Sequence, residues 1–200
     1  MHSYSTDSSE RERILFGLAL LSVGAALGLS RILHASHITL PWWFDAPSTM
    51  TFYGVFFTVF DRALWRIPLL RQIGLLEVPV LAGNWTGHLL SSFDNHSKPH
   101  SVQVRIEQTW TRIMIALQSE LSASFTLVAA IQVNAADGIV LSYQYENQPR
   151  PNALKTMEIH LGTARLVFAR GRCLEGYYYS GRGRQNYGTL YIERIEKSKG

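Results

Sequence analysis

The spacing of apolar positions divides the chain near Val78. Ahead of that point apolar residues come in long unbroken runs, and behind it in short alternating ones. Ile14 to Ser30 carries no charge, and Ile32 and Leu33 extend the run past Arg31. At 1.5 Å per residue, about 20 such residues cross the ~30 Å hydrocarbon core of a bilayer as a helix. A second uncharged run, Ala46 to Phe60, is rich in Phe. Trp42 and Trp43 precede it and Trp65 follows, near the spacing of two interfacial tryptophan belts. Asp61 and Arg62 stand at one end, where they pair or snorkel. The pattern predicts a tail over 1–12, two membrane helices over about 13–33 and 46–66 within a segment 13–78, and a separate domain over 79–200. The competing reading of the first run is a signal peptide. No small-x-small cleavage site stands clearly ahead of mature sequence, and the second run favours anchoring.

Past Val78 the runs are short and rich in β-branched and aromatic residues. Leu81–His88 opens the series. Ser101–Gln108, Thr111–Gln118, Ser122–Val133, Ile139–Tyr145, Thr156–Leu161, Ala164–Phe168, Cys173–Ser180 and Tyr187–Ile195 follow. Asp94-Asn95, Asp137-Gly138, Asn147-Gln148-Pro149, Leu161-Gly162 and the glycines at 171, 181 and 183 punctuate them. Roughly eight strands without intervening helix predict an antiparallel up-and-down β-barrel, a size that holds one small ligand. If Trp85 points inward, so do Gly83, Gly87 and Leu89, and on the last strand Leu190, Ile192 and Arg194. Gly83-x-Trp85 with a late Arg resembles the lipocalin and calycin pattern, in which the Arg covers the Trp at the closed barrel end. That likeness gives Trp85 and Arg194 a structural role, through a cation–π contact of about 0.5–2 kcal/mol.

Charge sharpens the division. Residues 1–78 hold six Arg against six acids, and residues 79–200 hold thirteen Lys plus Arg against nine, so the +4 excess belongs to the second part. Arg165 to Arg184 includes five Arg and one acid, Glu175, a local excess that suits an anionic partner, although solvated surface charge is the commoner reading of any one Arg. Arg11 and Arg13 precede the first apolar run, Arg62, Arg66 and Arg71 follow the second, and His34 to Pro47 has no Lys or Arg. The positive-inside rule then puts both termini and the barrel in the cytoplasm and the short loop in the periplasm, as a two-pass inner-membrane protein. Cys173 is the single cysteine, so no intrachain disulfide forms and nothing demands an oxidising compartment. Gly24-x-x-x-Gly28, beside a second row of Ser22, Ala26 and Ser30, lets helix backbones approach closely, within this chain or between copies.

No catalytic constellation emerges. HExxH, GxSxG, a Walker loop and paired carboxylates are missing, which leaves no catalytic residue and no metal site to name. His88, Asp94, His96 and His100 read as a loop cluster rather than ligands, Ser91-Ser92 has no base, and Glu158 with His160 reads as an exposed pair on one strand face. The stretch from Tyr177 to Gly188 is richer. Arginine forks suit phosphate, and aromatic faces stack on bases for about 1–3 kcal/mol each. Tyr143-Gln144-Tyr145-Glu146-Asn147 and Arg165 add similar chemistry nearby in sequence, and with the family resemblance given below Tyr145, Arg165, Tyr178, Arg182 and Arg184 are the candidate ligand-binding residues. A tyrosine-rich strand with a polar turn competes with that reading. The stretch is too short and too strand-like for RGG-type binding to an RNA or DNA polymer.

Taken whole, the chain resembles the two-transmembrane, β-strand-rich effectors of CBASS antiphage operons, which accompany CD-NTase enzymes. The resemblance spans nearly all 200 residues. It rests on the order helix, loop, helix, barrel, on Gly83-Asn84-Trp85-Thr86-Gly87, on Tyr145-Glu146-Asn147, and on Gly176-Tyr177-Tyr178 through Gly181-Arg182-Gly183-Arg184. It implies no cofactor and no enzymatic activity. It implies a 3'3'-cyclic dinucleotide as ligand, homo-oligomerisation on activation, and inner-membrane disruption that kills the infected cell. The alternative is a membrane-anchored, lipocalin-like carrier of an apolar ligand, with an apolar barrel lining and the arginines outside.

Overall fold

The computed structural model describes residues 1–37, 45–153, 157–169, 171–181 and 184–195. The chain forms two compact units, one of Ser9–Glu77 and one of Met1–Ser8 with Val78–Gly200. In the first, α1 (Glu10–Ala35) packs along α2 (Asp45–Arg62), followed by a 3-10 turn (Leu64–Arg66) and α3 (Pro68–Gln72). Helix α1 begins three residues ahead of its predicted start because Glu10 is buried, its carboxylate accepting from the Glu77 N–H at 2.5 Å. Phe16, Leu20, Val23, Leu27 and Ile32 are exposed along α1. Among the described residues α1 is the one helix long and apolar enough to cross a bilayer; α2 carries Asp45, Asp61 and Arg62 in 18 residues. The predicted tryptophan belts change meaning. Trp42 and Trp43 lie outside the described residues, and Trp65 is fully buried beneath the Arg71 and Arg66 guanidiniums, 5.6 and 5.9 Å from its ring.

The second unit is a closed barrel of eight long antiparallel strands. They are β3 (Gly83–Ser91), β4 (His100–Gln108), β5 (Arg112–Gln118), β6 (Ser122–Ala135), β7 (Gly138–Pro149), β8 (His160–Ala169), β9 (Cys173–Ser180) and β10 (Tyr187–Arg194). Each strand pairs with the next, and β10 returns to β3. Between β5 and β6 the wall closes directly only from Ala116↔Phe125 to Gln118↔Ala123. Two short N-terminal strands, β1 (His2–Ser3) on β5 and β2 (Ser5–Thr6) on β6, complete it. The first residues of the predicted tail are thus barrel wall.

Two predicted strands are one. Leu161-Gly162 was expected to turn between Thr156–Leu161 and Ala164–Phe168, yet β8 runs through both residues. Thr156 lies outside the described residues, and Met157–Ile159 form no strand. Gly162 is a strand glycine because a Cβ there would overlap Tyr145 Cζ and Oη and sit 2.7 Å from the Tyr179 carbonyl.

Alternation fills the interior. Val104, Ile106, Ile113, Ile131, Leu141, Leu166, Leu174 and Ile192 pack around Trp85 in the core. Trp85 is fully buried, and its Nε1 donates to the Leu81 carbonyl at 3.0 Å. The Arg194 guanidinium lies 4.7 Å from the Trp85 ring and donates to the Val80 carbonyl. The structure thereby brings Trp85 and Arg194 together to plug one end, leaving the other end for a site.

A polar pocket at the open end of the barrel

At the end opposite Trp85, inward positions become short and polar. Ser91, Ser122, Ser124, Asn147 and Ser180 replace the aliphatic residues found lower on the same strands. The result is a cavity of about 280 Å³. Leu89, Leu117, Leu190 and Tyr143 form its floor; Phe93 and Pro99 from the β3–β4 loop, Leu121 and Met157 form its rim.

Tyr145 and Tyr178 stand in this wall at the inward phase of β7 and β9. Each ring is seated over a glycine: Tyr145 over Gly162, and Tyr178 over Gly188, where a Cβ would lie 2.8 Å from Tyr178 Cε1. Tyr145 is hydrogen-bonded to Ser180 and Tyr178 to Ser91. Burial pushes the Tyr145 phenol up to about 12, and burial also raises Tyr178. Both stay neutral at physiological pH and offer an O–H together with a ring face.

Arg184, just before β10, reaches into the same cavity. Its guanidinium stacks 5.4 Å from the Phe93 ring, and partial burial lowers its pKa. Arg184 is in none of the ion pairs found among the described residues, and the charged or titratable groups that act on it are Tyr178 and Tyr145 rather than a carboxylate. A half-buried cation between neutral phenols is poised for an anion.

The other candidates separate from this group. Arg165 follows Ala164 and precedes Leu166, both inward, so its own side chain points outside. There it bonds Asp137 at 2.8 Å. Strand parity, not distance along the chain, keeps it from the pocket. Arg182 lies outside the described residues. Gly24 is exposed and Gly28 is half-buried with open space beside each, whereas the neighbouring row, Ser22 and Ala26, is buried. His100 Nε2 meets Asp94 Oδ2 at 2.8 Å at the pocket rim, His96 packs on Tyr187, and His88 packs on Tyr191. Glu158 is not on a strand with His160; the imidazole Nδ1 sits 2.8 Å from the Glu158 backbone carbonyl instead. Sequence reasoning named Tyr143 beside Tyr145 without placing it in the site, and it did not assign the serines to a ligand pocket. Their signal was phase, since each occupies an inward position at the pocket end of its strand.

A β-barrel with a cationic, tyrosine-lined pocket, carried on an apolar helical segment, defines a receptor domain tied to a membrane. Residues 76–194 match the family model described as Cap15, cyclic dinucleotide receptor domain, and residues 12–66 match that described as Cap15, TM helices. The chain belongs to the Cap15 family. Over 140 residues it is 36% identical to CD-NTase-associated protein 15 of Yersinia aleksiciae, an alignment covering 68% of this chain. The aligned part spans 64% of that relative's length.

Proposed function

We propose that this chain is a CBASS effector whose barrel binds a cyclic dinucleotide made by a CD-NTase. The observation that carries the reading is Arg184, a half-buried cation without a carboxylate partner among the described residues, set beside Tyr145 and Tyr178 in a cavity lined by serine hydroxyls. A compact dianion with two bases asks for a guanidinium for phosphate and ring faces for bases. Tyr145, Tyr178 and Arg184 form the proposed site, Arg182 joins them on its sequence position, and Arg165 leaves the set. The ligand is of the 3'3' type, and the chain performs no chemistry on it.

The proposed readout is assembly in the inner membrane. α1 and α2 both cross, with the 34–47 connection in the periplasm and both termini in the cytoplasm. Ligand drives clustering only by binding the assembled form better than the free one. The open Gly24/Gly28 face of α1 is the proposed contact between copies. Clustered helices then breach the bilayer and kill the infected cell. The carrier alternative draws on the apolar floor of Leu89, Leu117 and Leu190.

Calorimetry of the full chain in nanodiscs against a panel of cyclic dinucleotides, at two ionic strengths, tests the proposal. Tight, salt-sensitive binding of one member is expected. A panel without a binder, combined with a co-purifying lipid in the barrel, overturns it in favour of the carrier.

A further inference from the structure

The barrel wall contains a segment that the receptor region itself does not supply. Below Ala116 and beyond Phe125, β5 and β6 part company. A bulge between Thr126 and Val128 bends β6 away, and Thr126 Oγ1 accepts from the Ile115 N–H at 2.9 Å where the ladder ends. The gap is one strand wide. Residues 2–6 fill it, antiparallel to β5 at Arg112 and Ile113 and parallel to β6 at Ala130 and Ile131.

Side chains lock the segment in place. Tyr4 is 3% exposed and packs in the same core as Ile113, Ile131 and Leu166. Its hydroxyl donates to the Trp110 carbonyl at 2.7 Å, and its N–H donates to Thr111. The Asp7 carboxylate accepts from the Val133 and Asn134 N–H groups at 2.7 and 3.1 Å. Two unpaired strand edges flanking an apolar slot, with one aromatic anchor and one carboxylate clamp, form a β-augmentation site.

We propose that the lower half of the β5–β6 seam is a peptide-binding groove whose ligand is the first seven residues of this chain. The groove is separate from the polar pocket, and the inference does not rest on the identity of the pocket's ligand. The family's receptor region begins at residue 76, so it holds the groove without its occupant. Three residues separate Thr6 from Glu10, the first residue of α1.

The test uses the full chain in detergent, with residues 2–7 deleted, and a labelled synthetic peptide of Met1–Ser8. Saturable 1:1 uptake is expected, with slowed amide exchange at Val133 and Asn134. The intact chain, its groove filled, takes up none. A Tyr4→Ala peptide binds the deleted chain at least about tenfold more weakly, as a lost buried anchor requires. A folded deleted chain that takes up no peptide, or that takes both peptides equally, overturns the proposal. If the deletion prevents folding, the intact chain carrying Tyr4→Ala and Asp7→Ala replaces it. Exchange at Val133 and Asn134 then rises about tenfold or more and the wild-type peptide reverses it, as expected for local opening. Unchanged exchange in that variant overturns the groove.

Discussion

Replacing Arg184 by Met separates a binding residue from a structural one. Met matches the length of the stem and lacks the charge. In the free protein the guanidinium is partly desolvated, which already lowers its pKa, and no carboxylate compensates it among the described residues. Removing it therefore relieves a desolvation cost. What is lost is the stacking on Phe93 at 5.4 Å, about 0.5–1 kcal/mol, and the hydrogen bond that Nε donates to the Asn186 side-chain oxygen at 2.9 Å. The two effects oppose, so the unliganded protein keeps its stability within about 1 kcal/mol, a few degrees in Tm. Ligand binding behaves differently. A hydrogen bond to a charged group contributes about 1.5–3 kcal/mol, so affinity for the cyclic dinucleotide falls about 10- to 150-fold. The salt dependence of binding becomes shallower as well, because one phosphate-facing charge is gone. Thermal unfolding with and without ligand, joined to calorimetry at two salt concentrations, reads all three quantities. A variant with unchanged affinity refutes the assignment. So does one whose unliganded Tm collapses, because Arg184 would then be holding the barrel together.

Gly162→Ala drives a methyl into Tyr145 and against the Tyr179 carbonyl, an overpacking that costs about 1–3 kcal/mol. Adding Tyr145→Ala recovers part of that loss in a double-mutant cycle on Tm, and strict additivity would show that the ring is not seated on Gly162. Alkaline stability carries the tyrosine signature. The folded pKa of Tyr145, about 12, lies above the ordinary value of 10, so its contribution is complete below pH 10 and is lost as pH rises from there toward 12. Tyr145→Phe flattens that limb of the Tm profile, and an unaltered profile would place the ring in solvent. Gly24→Leu with Gly28→Leu leaves ligand affinity in nanodiscs unchanged and suppresses ligand-driven dye release from vesicles, and undiminished release removes this face from the proposed assembly contact.

Much of the barrel was legible because a two-residue period ties each side chain to a face. Trp85 inward implied Gly83, Gly87 and Leu89, and those positions do turn toward the interior together with Leu190, Ile192 and Arg194. The same rule applied to β8 would have excluded Arg165, since Ala164 and Leu166 are its inward neighbours. Local composition misled at Gly162. A glycine after Leu161 reads as a turn, and only the tertiary neighbour Tyr145 explains it as a strand residue. The N-terminal strands gave no signal at all. Strands of two residues have no measurable period, and their stability comes from Tyr4 and Asp7 reaching groups over a hundred positions away. Pocket serines were hidden for a related reason, because a polar inward residue breaks the apolar alternation used to find the strand.

An eight-stranded barrel has an interior just wide enough to be filled by side chains. Room for a ligand must then come from shortening some of them. Here the shortening is confined to one end. β6 changes from Ile131 to Ser124 and Ser122, and the inward positions of β9 run Leu174, Gly176, Tyr178, Ser180, so the space opens at the serines and Gly176 while Tyr178 stands in it as a wall. Burial of large apolar side chains is the dominant stabilising term, and Tyr143, Tyr145 and Leu190 of the pocket belong to the same core as Trp85. The short polar positions, Ser91, Ser122, Ser124 and Ser180, contribute little to that term, so they are the ones open to change without loss of the fold. Arg184 fits that division, being placed on the loop ahead of β10 rather than within the wall.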